Sequence, residues 1–105
     1  MKLLIIGCVL TIAMWTAPAR AGAAEGKEVY MKSCKSCHGA EGQGNPAIAK
    51  VMKVEMKALG SKEVQAKSDD ELKAAVTKGT GKMKAVAGLS AKQIDDVVAF
   101  VRTLK

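Results

Sequence analysis

The only histidine of the chain directly follows two closely spaced cysteines, in the pattern Cys34-x-x-Cys37-His38. The third cysteine of the sequence, Cys8, lies well before them in an apolar N-terminal stretch. Thiolate and imidazole groups bind soft metals, and paired thiols also carry redox chemistry. We therefore expect a metal-binding or redox site at these three neighbouring side chains, and the fold of the chain must accommodate it.

The N-terminus has the three parts of a secretory signal. Lys2 is followed by an apolar run from Leu3 to Trp15 and then by small residues at alternate positions. This run of about 13 residues is shorter than the roughly 20 that a membrane-spanning helix needs. We therefore predict a cleaved signal over residues 1–21, with cleavage as late as residue 23 as the alternative. The expected destination is the periplasm, without stable insertion into the membrane.

Removal of this signal leaves one small domain, residues 22–105, in which Tyr30 and Phe100 are the only aromatic residues. The domain keeps fifteen basic against ten acidic residues, a formal charge of +5. A hydrophobic core alone gives marginal stability at this size, and such chains usually depend on a metal, disulfides or a cofactor. The composition therefore predicts that a large apolar group completes the core.

Spacing and capping residues predict two helices in the first half of this domain. Gly26, Tyr30 and Cys34 recur at helical intervals, so they share one side of a first helix that ends at Gly39. An asparagine followed by Pro46 is a favourable helix start, because proline is well accommodated at the first helical position. A second helix is therefore expected to begin at Pro46.

Two capping boxes predict the helices of the second half. Ser68 precedes three carboxylates in a first turn, and the helix that it starts is expected to end at Gly79. Ser90 begins a last helix with an apolar stripe that continues to the C-terminus. No segment shows sustained strand alternation, so the fold class is predicted to be all-α.

The cysteine motif has the spacing at which two thiols add to the vinyl groups of a haem while the adjacent imidazole binds its iron. Thioether bonds from Cys34 and Cys37 would retain a haem in a domain too thin to hold it by packing. A zinc site would need four ligands where Cys34, Cys37 and His38 supply three, and a redox dithiol would be expected in a βαβ pattern. We therefore predict one covalent haem c, with His38 as an axial ligand to its iron.

The second axial ligand must be a methionine, a lysine, an outside molecule or nothing, because the chain has no other histidine. Met31 is too near the cysteines in sequence, and Met52 and Met56 lie in or beside a helical period that favours packing. Met83 lies in a glycine-rich segment just before the last helix, so its loop can fold over the far face of the haem. The prediction is His38/Met83 ligation, which favours ferrous iron and raises the reduction potential.

Taken together, these residues resemble class I cytochromes c, the small soluble bacterial proteins with one c-type haem. The resemblance covers residues 22–105 and implies N-terminal and C-terminal helices that cross closely, with the helices packed around one covalent haem. Gly26, Tyr30 and Phe100 match the positions at which the family's terminal helices meet. Pro46 matches a proline whose carbonyl accepts a hydrogen bond from the axial imidazole.

The resemblance implies a soluble periplasmic single-electron carrier that is not an enzyme. A haem-based peroxidase or a gas-binding sensor with a labile sixth ligand is the alternative, and it would need an open iron face. Lys35, Lys82 and Lys84 lie beside the predicted haem-binding residues. They could steer redox partners with acidic docking surfaces, such as an oxidase, reductase or photosynthetic complex, or they could be ordinary solvated lysines. Nucleic acid is not an expected partner, and a monomer is the default.

Overall fold

The structure, a computed structural model, describes residues 21–104, and six α-helices lie within them. They are α1 (Ala23–Ser33), α2 (Lys35–His38), α3 (Pro46–Met52), α4 (Lys62–Gln65), α5 (Asp69–Lys78) and α6 (Ala91–Val101). The only β pairing among the described residues is an isolated bridge between Thr80 and Met83. The all-α prediction is confirmed, and the apolar N-terminal run lies outside the described residues.

The core forms where α1 crosses α6. Tyr30 is completely buried, and its ring lies 5.0 Å from that of Phe100 at an angle of 53°. Such a tilted pair contributes about 0.5–1.5 kcal/mol beyond the area it buries. Gly26 is buried against the backbone of Asp96, and a Cβ at this position would collide with the Asp96 carbonyl. The predicted crossing of the terminal helices at Gly26 is therefore confirmed.

The first predicted helix is divided at Cys34 into α1 and α2. Cys34 has φ −119° and ψ −33°, which turns the chain without fully breaking the hydrogen-bond ladder. Its N–H still donates to the Tyr30 carbonyl at 2.9 Å, and its carbonyl accepts from the His38 N–H at 2.9 Å. The helical segment ends at Gly39 as predicted, with φ 80°, a conformation that favours glycine.

Helix α3 begins at Pro46 as predicted, since the Asn45 side chain accepts hydrogen bonds from the two free backbone N–H groups of the first turn. It ends at Lys53, a lysine in the left-handed region with φ 54°. The next helix, α4, was not predicted. It has four residues and is capped by Ser61, so it is too short to show an apolar period.

Both predicted capping boxes are present. The Ser68 side chain accepts from the Glu71 N–H, and the Glu71 carboxylate accepts in return from the Ser68 N–H. Ser90 and Gln93 make the same reciprocal pair at the start of α6. Helix α5 ends at Gly79, as predicted.

Side chains from two elements fasten the C-terminal end to the middle of the chain. The Arg102 guanidinium pairs with the Asp69 carboxylate and donates to the Gln65 and Lys67 carbonyls. The Gln65 amide in turn donates to the carbonyls of Val101 and Leu104.

Among residues 21–104, no helix has the length and apolar character needed to cross a bilayer.

Candidate haem-binding site

The cysteine motif lies at the junction of α1 and α2. Cys34 is buried and joins the two helices, whereas Cys37 and His38 are half-buried residues of α2. Both cysteines are free thiols. The structure therefore brings the three predicted side chains onto one short helical segment, with both sulfurs available for bond formation.

The environment of Cys34 differs from that of a redox dithiol. Burial raises the pKa of the Cys34 thiol, and the neighbouring Cys37 raises it further. Catalytic dithiols instead lower the pKa of their attacking cysteine, because the thiolate is the nucleophile. The surroundings of Cys34 keep it a neutral thiol, and the described residues form no βαβ unit around it.

Burial also determines the charge of His38. Desolvation lowers the pKa of its imidazole below the ordinary range, so the ring is neutral at neutral pH and keeps a lone pair for a metal. Its Nδ1 atom is buried and has no hydrogen-bond partner. No protein group is therefore hydrogen-bonded to the imidazole through this atom.

Nδ1 of His38 has no hydrogen-bond partner in the structure, so the expected bond to the Pro46 carbonyl stays a prediction. Pro46 is the first residue of α3. Pro46 thus begins α3 as predicted.

Three hydrogen bonds fix the backbone around His38. The His38 carbonyl accepts from the Gly44 N–H at 2.7 Å, and the Tyr30 hydroxyl donates to the Gly39 carbonyl at 2.5 Å. The Asn45 side chain donates to the Ser36 carbonyl at 3.1 Å. These contacts join α2 to α1 and to the start of α3. They were missed from the sequence because their partners are backbone carbonyls, which leave no residue pattern.

The Tyr30 hydroxyl is suited to a permanent donor role. Burial raises the pKa of Tyr30 to about 12, with a smaller contribution from Cys34, so the phenol stays protonated across the physiological range.

Tyr30→Phe should lower the free energy of unfolding of the haem-loaded protein by about 1–2 kcal/mol, the usual cost of a lost buried hydrogen bond. Guanidinium unfolding followed by circular dichroism measures this, and an unchanged midpoint and slope would contradict it.

Met83 lies in a tight turn on a different part of the chain. Thr80 and Met83 exchange backbone hydrogen bonds of 2.8 and 3.0 Å, which closes the turn around the two residues between them. A Cβ at Gly79 would lie 2.5 Å from the Met83 carbonyl oxygen, so glycine is required there. Lys82 Nζ donates to the Met52 carbonyl at 2.8 Å, which ties the turn to the end of α3. Met83 is half-buried within this anchored loop.

The side chains present fit a covalently attached haem. Two free thiols are followed by a neutral imidazole with an unused buried nitrogen, and a thioether lies in an anchored loop. Neither α3 nor α5 contains a fully buried residue, and their apolar side chains are half-covered by protein or, like Val51, exposed. A large apolar group matches such faces. A zinc site is not supported, since no three Cys, His, Asp or Glu side chains of the described part converge on a metal position.

Comparisons with known proteins agree with this assignment. The cytochrome c family pattern matches residues 23–105. Cytochrome c-554(547) of Halothiobacillus neapolitanus is 34% identical over 88 residues, covering 79% of this chain and 97% of the relative. The solved structure of the KustC0563 c-type cytochrome is similar with a TM-score of 0.65 and 25% identity, over 76% of this chain and 96% of that one. The chain therefore belongs to the cytochrome c family and has covalently bound haem c, with its iron, as its cofactor.

Proposed function

We propose that this chain is exported to the periplasm, loses residues 1–21, and works there as a carrier of single electrons. The family supplies the coarse function, that of an electron-transfer haem protein. The proposed ligands are His38 and Met83 on the iron, with Cys34 and Cys37 as the covalent attachment points. The observation that carries the proposal is the neutral His38 imidazole directly after Cys37, with a buried nitrogen that no protein group uses.

When bound, the haem supplies an iron that takes up and releases one electron without a proton or substrate. The protein's part is to hold the attachment segment still. The Tyr30–Gly39 and Gly44–His38 hydrogen bonds fix the backbone on the C-terminal side of the imidazole. A fixed backbone favours electron transfer, because little rearrangement then accompanies the change of oxidation state.

Met83 has two tasks in this proposal. Its thioether is a weak, soft donor that favours the ferrous state. It also fills a position that a peroxidase or gas sensor would leave open to its substrate. The hydrogen bonds within the Thr80–Met83 turn and from Lys82 to Met52 restrain the loop, which supports a ligand that stays in place.

Optical spectra of the haem-loaded protein, purified from a host that matures c-type haem, test this function. We expect haem that remains attached after denaturation, a ferric absorption band from methionine-to-iron charge transfer, and slow binding of cyanide and peroxide. Haem that separates on denaturation would contradict attachment at Cys34 and Cys37. Absence of the ferric band together with rapid cyanide binding would instead favour a peroxidase or a gas-binding sensor.

An electron-transfer protein needs redox partners, and exposed basic residues near the site suggest an acidic one. We call residues 79–84, the loop that contains Met83, the methionine loop. Lys35 in α2 and Lys82 and Lys84 in this loop are all exposed. Exchanging Lys82 and Lys84 together for glutamate should slow reduction by an acidic flavoprotein about tenfold or more at low salt, with the difference lost at high salt. Stopped-flow reduction across a salt series measures the rates.

The matched control exchanges Lys62 and Lys67 for glutamate, which changes the net charge equally at exposed positions in and just after α4. Because Lys82 also donates to the Met52 carbonyl, the ferric spectrum of each variant is recorded first to establish that ligation is unchanged. Equal slowing in both double variants would attribute the effect to net charge and contradict a docking role for the methionine loop.

A further inference from the structure

The backbone nitrogen of Gly22 is bound to a buried carboxylate at the far end of the sequence. Gly22 is the residue before the first turn of α1, and its nitrogen donates to Oδ1 of Asp96 at 2.8 Å. Asp96 lies in α6 and is only 3% exposed. Its other oxygen, Oδ2, accepts from Lys92 Nζ at 2.7 Å. Each oxygen of this carboxylate therefore has one donor.

A buried carboxylate is costly unless it is paired and hydrogen-bonded. The hydrogen bonds from Lys92 and from Gly22 hold the pKa of Asp96 below its ordinary value, so the group is an anion at neutral pH. The Lys92 side chain, however, is 66% exposed, and an ion pair with such an exposed partner contributes little. The nitrogen of Gly22 is the second donor at this anion.

We propose that export processing hydrolyses the Ala21–Gly22 peptide bond and that the new α-ammonium group of Gly22 forms an ion pair with Asp96. The inference rests on the export part of the proposed function. Water is added across the bond, so that Ala21 leaves with a carboxylate at the end of the signal and Gly22 keeps an amine. That amine takes up a proton at neutral pH. The donor atom is unchanged, so α1 need not move.

The surroundings of Gly22 favour this new charge. An ammonium at a helix N-terminus is normally opposed by the positive end of the helix dipole. Here the Glu25 carboxylate also lies over Gly22, since a Cβ built on the glycine would collide with it. Two carboxylates, Asp96 and Glu25, therefore offset the repulsion. Ala21 is exposed, which leaves the bond to be hydrolysed at the surface.

Cleavage two residues later, before Ala24, would leave a less complete structure. It would remove the donor to Asp96 Oδ1 and the Gly22 carbonyl, which accepts from the Gly26 N–H at 2.9 Å. It would also remove Ala23, the first residue of α1. A buried acceptor without a partner destabilises the folded state, and the cost is larger when the acceptor is charged. The structure therefore favours Gly22 over Ala24 as the first residue.

The first test is the intact mass of haem-loaded protein exported from the full-length precursor. We expect a chain that starts at Gly22. A start at Ala24 or at any other residue would overturn the inference and leave the electron-carrier function untouched. A precursor that keeps its N-terminal segment would contradict export itself, while the optical spectrum would still report on haem binding and ligation.

The second test is an NMR titration of the terminal amine, made visible by isotope-labelled glycine. An ordinary α-amino group has a pKa of about 7.7–8.0, and we expect a value raised by about one unit or more by the adjacent carboxylate. Asp96→Asn should return the pKa toward the ordinary range, whereas Lys92→Met, which removes the other partner, should leave it raised. Glu25→Gln measures the contribution of the remaining nearby acid, and Asp95 on α6 stays constant throughout.

A form that retains Ala21 is the matched control, because its amine is displaced from Asp96 by one residue. Comparing the amine pKa of this form with that of the mature protein tests the ion pair even where Asp96→Asn fails to fold. The raised amine pKa also has a consequence for stability. The ion pair stabilises the folded protein below the ordinary α-amino pKa, and this stabilisation is lost as the pH rises through the raised pKa. Over that pH range, the mature protein should therefore lose more stability than the form that retains Ala21. Equal amine pKa values in the two forms would overturn the ion pair.

Discussion

Replacing Gly26 by alanine should destabilise the haem-loaded protein by about 3 kcal/mol or more, at the upper end of the cost of overpacking a core. The added methyl group would collide with the carbonyl of Asp96 and lie 3.0 Å from Cβ of Phe100. A backbone carbonyl inside α6 cannot turn aside as a side chain can. The helices must therefore separate, which weakens the packing of Tyr30 on Phe100. Guanidinium unfolding followed by helical circular dichroism measures the loss.

Gly88→Ala is the control for this substitution. Gly88, unlike Gly26, has a positive φ of 82°, but a Cβ there would meet nothing within 4 Å. Its replacement should cost roughly 1–2 kcal/mol, the penalty of placing an L side chain in the left-handed region. If Gly26→Ala costs no more than Gly88→Ala, close contact between the helices at Gly26 does not limit stability.

Met83→Ala should have the largest effect on the iron. Loss of the thioether should abolish the ferric charge-transfer band and speed cyanide binding. It should also lower the reduction potential by on the order of 0.2 V, within the range of about 0.8 V that axial ligands span. Helix content should be unchanged, because Met83 is a loop residue and the turn is held by backbone hydrogen bonds. Spectra and a spectroelectrochemical titration measure these effects on one preparation.

The matched controls are Met52→Ala and Met56→Ala. Both methionines are half-buried, as Met83 is, so each variant removes a comparable thioether from a comparable environment. Neither should affect the ferric band. A band that survives Met83→Ala but disappears in one of these variants would assign the ligand to that methionine and contradict the proposed site.

The local parts of the fold were predictable from sequence. A capping box is formed by residues three apart, so the starts of α5 and α6 at Ser68 and Ser90 could be predicted without knowledge of the rest of the chain. The motif at Cys34, Cys37 and His38 is local in the same sense. The division of the first helix at Cys34 was not predictable, because helical spacing continues through it and only the backbone angles show the turn.

The long-range parts were not predictable, and Asp96 shows why. A charged residue in a helix is expected to face water, and the apolar period of α6 does not indicate a buried acid. Asp96 is nevertheless buried, because its partners are Lys92 one turn earlier and the Gly22 nitrogen 74 residues away. The Tyr30 hydroxyl is a similar case, since its acceptor is a backbone carbonyl. Interactions of this kind become visible only when the chain is folded.

The crossing of α1 and α6 also governs when this chain can fold. Its main core joins the first and last helices, so the stabilising contacts have a long sequence separation and form only after an expensive loop closure. A chain that emerges from its N-terminus first cannot build that core until α6 has emerged. In the export that we propose, Cys34 and Cys37 would therefore remain in an open chain throughout translocation. The same helix contact that forms the main core therefore delays its completion until the whole domain has emerged.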